Sequence, residues 1–138
     1  MLRKWIGERS LMLSRLSLGV WLALIVAGSL IPNRVIADAS GHAGELFFRT
    51  VSKVAHVGAY TVLCLLLIWA AAPLRWPARI LWSAVGAIAF GVLIEVLQPL
   101  TGRSCSAADA AFNVLGVCAA LVGIALARRL KARRRRPA

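Results

Sequence analysis

Residues 91 to 116 read GVLIEVLQPLTGRSCSAADAAFNVLG, two apolar runs on either side of a short polar turn, with acid or amide side chains in both. Gln98-Pro99 closes the first run, Gly102-Arg103 marks the turn, and the second run opens behind Ser106. The reading of the whole chain depends on why segments this apolar keep Glu95, Gln98, Asp109 and Asn113.

Composition sets the frame. The chain has 138 residues, 60% of them hydrophobic, and a formal net charge of +12; its mean hydropathy is +0.78. A soluble domain of this length does not carry such values, whereas a chain built for a bilayer does. Crossing a hydrocarbon core of about 30 Å takes roughly 20 apolar residues in a helix. Four such runs occur between charges and prolines, at about 11–31, 54–72, 80–98 and 107–127. Unpaired backbone is too costly in lipid for these runs to be anything but helices, and short connections make sequence neighbours packing partners. The expected fold is all-α: a polytopic membrane protein whose single domain, 11–127, is a small antiparallel bundle of four transmembrane helices. Residues 1–10 form a short basic N-terminus and 128–138 a basic tail.

The first run carries Gly19, Ala23 and Ala27 at four-residue spacing, a stripe suited to close helix contact. Basic residues before it and Ala37-Asp38-Ala39 beyond it also resemble a cleaved signal peptide. The run is longer than a signal core, and the triplet lies well past its end, beyond Pro32 and Arg34, so a retained helix is the expected reading. Lysine and arginine in the short loops set the orientation. With both termini cytoplasmic, the inside holds Arg3, Lys4, Arg9, Arg15, Arg75, Arg79 and the seven basic residues from Arg128 to Arg136; the outside holds Arg34, Arg49, Lys53 and Arg103. This bias predicts a multi-pass protein with both termini inside and the Gly102 turn outside; the membrane expected is a bacterial cytoplasmic one.

The basic tail follows a transmembrane run directly. Anchoring and attraction to anionic lipids, at about 1 kcal/mol per basic residue near the surface, therefore account for it better than nucleic-acid binding. Cys64, Cys105 and Cys118 are odd in number and show neither CxxC nor zinc spacing. No disulfide framework, metal site or cofactor is expected. Cys105, in the turn, is a candidate reactive thiol.

The polar residues fall on helix faces. Lys53, His56 and Tyr60 are three and four residues apart, hence on one side of the second helix, able to point inward together. Gly91, Glu95 and Gln98 share a face of the third helix, and Asp109, Asn113 and Gly116 a face of the fourth. Up-and-down topology brings all of these to one depth at the outer end, with Arg103 on the turn above. Ionisable side chains in such segments cost several kcal/mol unless they face a bundle interior or wet cavity and find partners. Lys53 and Arg103 balance Glu95 and Asp109, so the set is formally neutral. Structural readings stand beside the functional one. Ser106-Ala107-Ala108-Asp109 is also a capping box; Lys53 can snorkel; Tyr60, Gln98 and Asn113 can serve as interhelical hydrogen-bond glue. Glu95, inside the run GVLIEVLQ, is the hardest to assign to structure alone.

In order and spacing these motifs resemble the VanZ-like membrane proteins. KVAHVGAY is similar to that family's K-x-x-H-x-x-x-Y segment. GVLIEVLQPLTGRSCSAADAAFNVLG is similar to its G-x-x-x-E-x-x-Q, G-R-S and D-x-x-x-N-x-x-G block. The resemblance covers roughly Ser52 to Gly123 and departs at Ser52, where the family commonly has an acid. It implies action at the outer membrane face and an association with teicoplanin resistance, but no settled reaction.

Together these readings predict an outer-leaflet pocket of Lys53, His56, Tyr60, Glu95, Gln98, Arg103, Asp109 and Asn113 that recognises a lipid headgroup or amphiphile. Membrane lipids, a lipid-linked wall precursor or a glycopeptide are the partner classes, and nucleic acid is not. Two alternatives stand: an intramembrane enzyme acting on a lipid or glycolipid with His56 and Glu95 as acid–base partners, though without an evident nucleophile, and a structural or helper subunit.

Overall fold

A computed structural model describes residues 2–31, 45–103 and 106–135. Arg34, the 37–39 triplet, Ser104, Cys105 and Arg136 lie outside the described residues, as do the side chains of Arg3, Lys4 and Arg49.

Four helices account for nearly all of it: α1 (Leu2–Ser29), α2 (Glu45–Ala70), α3 (Trp76–Leu97) and α4 (Ala107–Arg133), with a 3-10 turn, Gln98–Thr101, after α3. Each is long and apolar enough to cross a membrane. The protein is an all-α, multi-pass membrane bundle, as the four apolar runs predict.

Each helix outruns its apolar segment at one end: α1, α2 and α3 start earlier and stop one or two residues short, while α4 extends at its C-terminus. α1 begins at Leu2 rather than near residue 11, α2 at Glu45 rather than 54, α3 at Trp76 rather than 80, and α4 continues to Arg133 rather than 127. The apolar run measures what lipid must cover; the backbone ladder continues through flanking Arg, Lys and Glu, which are good helix formers. Prolines set the stops. Pro73 disfavours helical backbone just before it, and α2 ends at Ala70. Pro77 sits in the first turn of α3, where its missing N–H is harmless. Pro99 tightens the end of α3 into the 3-10 turn, which Gly102 closes at φ 76°, a left-handed conformation that glycine adopts without a Cβ penalty. The Gly102 and Arg103 amides then donate to Pro99 and Gln98 carbonyls at 3.1 and 3.2 Å.

Cross-helix pairs give the topology. Trp21 Nε1 on α1 donates to the Ala59 carbonyl on α2 at 3.0 Å, and Trp69 Nε1 on α2 donates to Ser10 Oγ on α1 at 3.3 Å. Those helices are therefore antiparallel. α3 is antiparallel to α2 and to α4, which makes α2 and α4 parallel to each other. α2 and α4 are the most extensively packed pair, and α2 also touches α1 and α3. The core is Ile25, Tyr60, Leu63, Cys64, Ile68, Ala87, Val117 and Ala120; outward-facing Val20, Leu81, Trp82, Leu93 and Leu115 present apolar surface to lipid.

Without a hydrophobic drive between helices in lipid, close approach decides packing. Gly116 makes it possible. A Cβ there would strike the Val57 carbonyl oxygen and come within 3.0 Å of Thr61 N and Tyr60 Cβ. Across that contact the Thr61 hydroxyl lies 2.7 Å from Val57 O and 2.9 Å from Gly116 O, stitching α2 to α4.

Candidate functional site: a groove backed by a buried polar cluster

The eight expected residues all lie toward the hairpin end of the bundle, the end that carries Gln98 to Ser106, but they do not form one pocket. Tyr60, Glu95, Gln98 and Asn113 are buried, at 1%, 3%, 0% and 3% exposure. His56 is half-buried and its Nδ1 lies 2.9 Å from Asn113 Oδ1. An amide oxygen only accepts, so in this pairing Nδ1 carries the proton and Nε2 is left for another partner. On α3 the backbone of Gly91 receives both neighbours: its missing Cβ would lie 3.0 Å from the Tyr60 ring and 3.2 Å from Asn113 Nδ2. Glycine at position 91 is what lets a phenol from α2 and an amide from α4 pack against α3 one turn from Glu95.

Glu95 is held by the next helix. Its Oε2 accepts the backbone N–H of Ser106 at 3.1 Å, and Ser106 Oγ accepts from Asp109 N at 3.3 Å. The Ser106 half of the capping reading is thus realised; the Ser106 N–H that Asp109 would take in a full capping box goes to the buried Glu95 instead. Several buried polar atoms keep no hydrogen-bond partner among the described residues: Tyr60 Oη, Glu95 Oε1, Gln98 Oε1 and Nε2, and Asn113 Nδ2. An unsatisfied buried group costs about 1–3 kcal/mol. Such a concentration on three helices marks a region organised for polar contact rather than for packing alone.

The cations part company with the acids. Lys53 does not turn inward with His56 and Tyr60; it is exposed, with Nζ 5.7 Å from the Phe112 ring centroid. Arg103 Nη1 donates to the Ser29 carbonyl at the end of α1, 3.1 Å away. Among the described residues neither pairs with Glu95 or Asp109. A neutral sum of charges did not require direct pairing: a long lysine at a helix rim is more cheaply solvated than buried, and a guanidinium satisfies free carbonyls at a helix end.

Arg103 instead closes the hairpin end of a groove between α1 and α2, of about 290 Å³. Trp21, Leu24, Ile25 and Gly28 of α1 make an apolar wall; Ala55 and Ala59 of α2 keep the opposite wall low, and His56 and Tyr60 rise from it. Ser29 and Ser52 join Arg103 at the mouth. From Ser29 to Trp21 the groove runs about 12 Å along α1. Sequence reading missed the α1 contribution because an apolar wall residue and a lipid-facing residue look alike in a hydrophobic run; Trp21, the polar-edged aromatic of that run, was the available signal.

The fold and site together define a small polytopic membrane protein with a one-ended, amphipathic groove backed by buried polar side chains. The chain matches no protein-family model, no curated protein and no solved structure.

Proposed function

We propose that this chain is a VanZ-like protein of the bacterial cytoplasmic membrane that binds a lipid headgroup or other amphiphile in the groove between α1 and α2. In this reading the hairpin end faces outward and the termini lie in the cytoplasm, an orientation supported by the bias of Lys and Arg along the chain. The observation that carries the proposal is the groove's division of chemistry: apolar walls from Trp21 to Gly28, and Arg103, His56 and Ser52 at one end. An acyl or prenyl chain takes the walls. The Arg103 guanidinium, which among the described residues commits Nη1 to the Ser29 carbonyl, takes phosphate or carboxylate as a planar fork, and His56 Nε2 offers a further hydrogen bond. Lipid-linked wall precursors have this composition, and the VanZ-like motif order adds support for an effect on the envelope, teicoplanin susceptibility included.

Native mass spectrometry in gentle detergent tests it, comparing wild type with Arg103→Gln and Lys53→Gln. Selective retention of one headgroup class in wild type and Lys53→Gln, and its loss in Arg103→Gln, is the expected result. Equal, unselective lipid binding by all three would overturn the proposal.

A further inference from the structure

The opposite end of the bundle holds a second arrangement that the groove does not use. Trp76 opens α3, and two guanidinium groups lie over its indole: Arg128 of α4, with Cζ 4.1 Å from the ring centroid, and Arg79 of α3, at 5.6 Å. Arg79 is fixed from a third side, because its Nε donates to the Ile68 carbonyl of α2. Trp76, Arg79 and Arg128 therefore join three helices at one point. α4 continues from there as a helix to Arg133, adding Arg129, Lys131 and Arg133, all exposed. Among the described residues no carboxylate pairs with Arg79 or Arg128: Glu95 accepts from Ser106 in the hairpin half, where Asp109 also lies, and Glu8, toward this end on α1, is exposed.

Two like charges over one ring repel each other. An indole face offsets part of this, but the arrangement is one an anion completes. Among the described residues no hydrogen-bond partner takes the Arg79 Nη groups or the Arg128 fork, which leaves them to oxygens.

We propose that Trp76, Arg79 and Arg128 form a headgroup site for an anionic phospholipid at the basic end of the bundle. Position selects the lipid over other polyanions. Trp76 begins a candidate span, and Arg128 follows directly on the apolar run of α4. Both therefore sit at the water–hydrocarbon boundary, the depth of a phosphodiester, where indole rings also concentrate. The site is independent of the groove reading, being at the other end and made of other residues.

The test uses the full-length protein in nanodiscs of phosphatidylcholine doped with phosphatidylglycerol, with the annular lipid counted by native mass spectrometry after controlled activation. Wild type is expected to retain phosphatidylglycerol over phosphatidylcholine. Arg128→Gln, which disturbs no hydrogen bond described within the bundle, is expected to lower that retention about fivefold, and Arg79→Gln with Arg128→Gln by tenfold or more, beyond what loss of surface charge alone brings. The control is Arg134→Gln with Arg135→Gln, which removes the same charge from the tail and is expected to lower retention by less than about twofold. Equal losses in the control and the clamp variants would overturn the site, leaving only a diffuse basic field. So would displacement of the lipid by a single-stranded oligonucleotide at matched charge concentration, which would assign the basic end to nucleic acid.

Discussion

His56 and Asn113 meet across the α2–α4 interface, Nδ1 to Oδ1 at 2.9 Å, and the other atom of the same amide, Nδ2, reaches the space over Gly91 of α3. One side chain thus couples a groove-lining imidazole to the buried polar cluster. If that hydrogen bond contributes, a double-mutant cycle must show it. Asn113→Ala and His56→Ala are each expected to destabilise the bundle by about 1 kcal/mol, with a coupling of roughly 0.6 kcal/mol when combined. Reversible unfolding in mixed micelles measures this, and strictly additive effects would remove the bond from the account.

Close approach at Gly116 makes a sharper contrast. Gly116→Ala drives a methyl into the Val57 carbonyl and the Thr61 amide, whereas a Cβ at Gly123 meets nothing within 4 Å. Overpacking of this kind costs about 1–3 kcal/mol, and the backbone atoms struck are not free to swing away. Thermal melts should place Gly116→Ala well below wild type, with Gly123→Ala unchanged or slightly above. Similar melting for the two variants would contradict the α2–α4 contact.

Glu95 is separable into shape and charge. Glu95→Gln keeps an oxygen able to accept from Ser106 N–H, so the fold is expected to hold within about 0.5 kcal/mol, while Glu95→Leu strands that amide at a cost of about 1–3 kcal/mol. Ser106→Ala, losing the cap on Asp109 N, is expected to cost about 1 kcal/mol, and Ser106→Asp to restore most of it. Should Glu95→Gln unfold the protein, the carboxylate charge rather than its hydrogen bond would be what the bundle needs.

Filling the groove tests its use without touching the polar groups. Gly28 lines the groove, and a Cβ there meets nothing within 4 Å. Gly28→Leu is expected to melt at or above wild type, since leucine is the better helix former by roughly 0.5–1 kcal/mol, yet to lose bound amphiphile. Undiminished binding in this variant would place the ligand elsewhere.

Orientation has its own readout. Leu100 in the hairpin turn is 81% exposed, so a cysteine placed there, in a Cys105→Ser background, is expected to react with a membrane-impermeant maleimide added to intact cells. Labelling confined to lysed cells would invert the proposed topology.

Much of this protein was legible in its sequence, and the legible part is what period and length control. Four runs near 20 residues, bounded by Pro73, Pro77, Pro99 and basic clusters, specify four helices, because lipid leaves the backbone no other way to satisfy itself. Ser106 three residues before Asp109 specifies the cap of α4 by local geometry alone. The placing of Glu95, Gln98 and Asn113 toward one end of the bundle follows from counting residues along helices.

Neighbours were not legible. A face shared by Lys53, His56 and Tyr60 says which way each can point but not which helix is there to receive it. Only the tertiary structure turned Lys53 outward over Phe112, sent Arg103 to the Ser29 carbonyl instead of to an acid, and made α1 one wall of the groove. The physical reason is that helix rotation in a bilayer is decided by where backbones can approach, as at Gly116 against Val57 and Gly91 under Tyr60. Hydropathy, which varies little from face to face on α3 and α4, cannot select among rotations there.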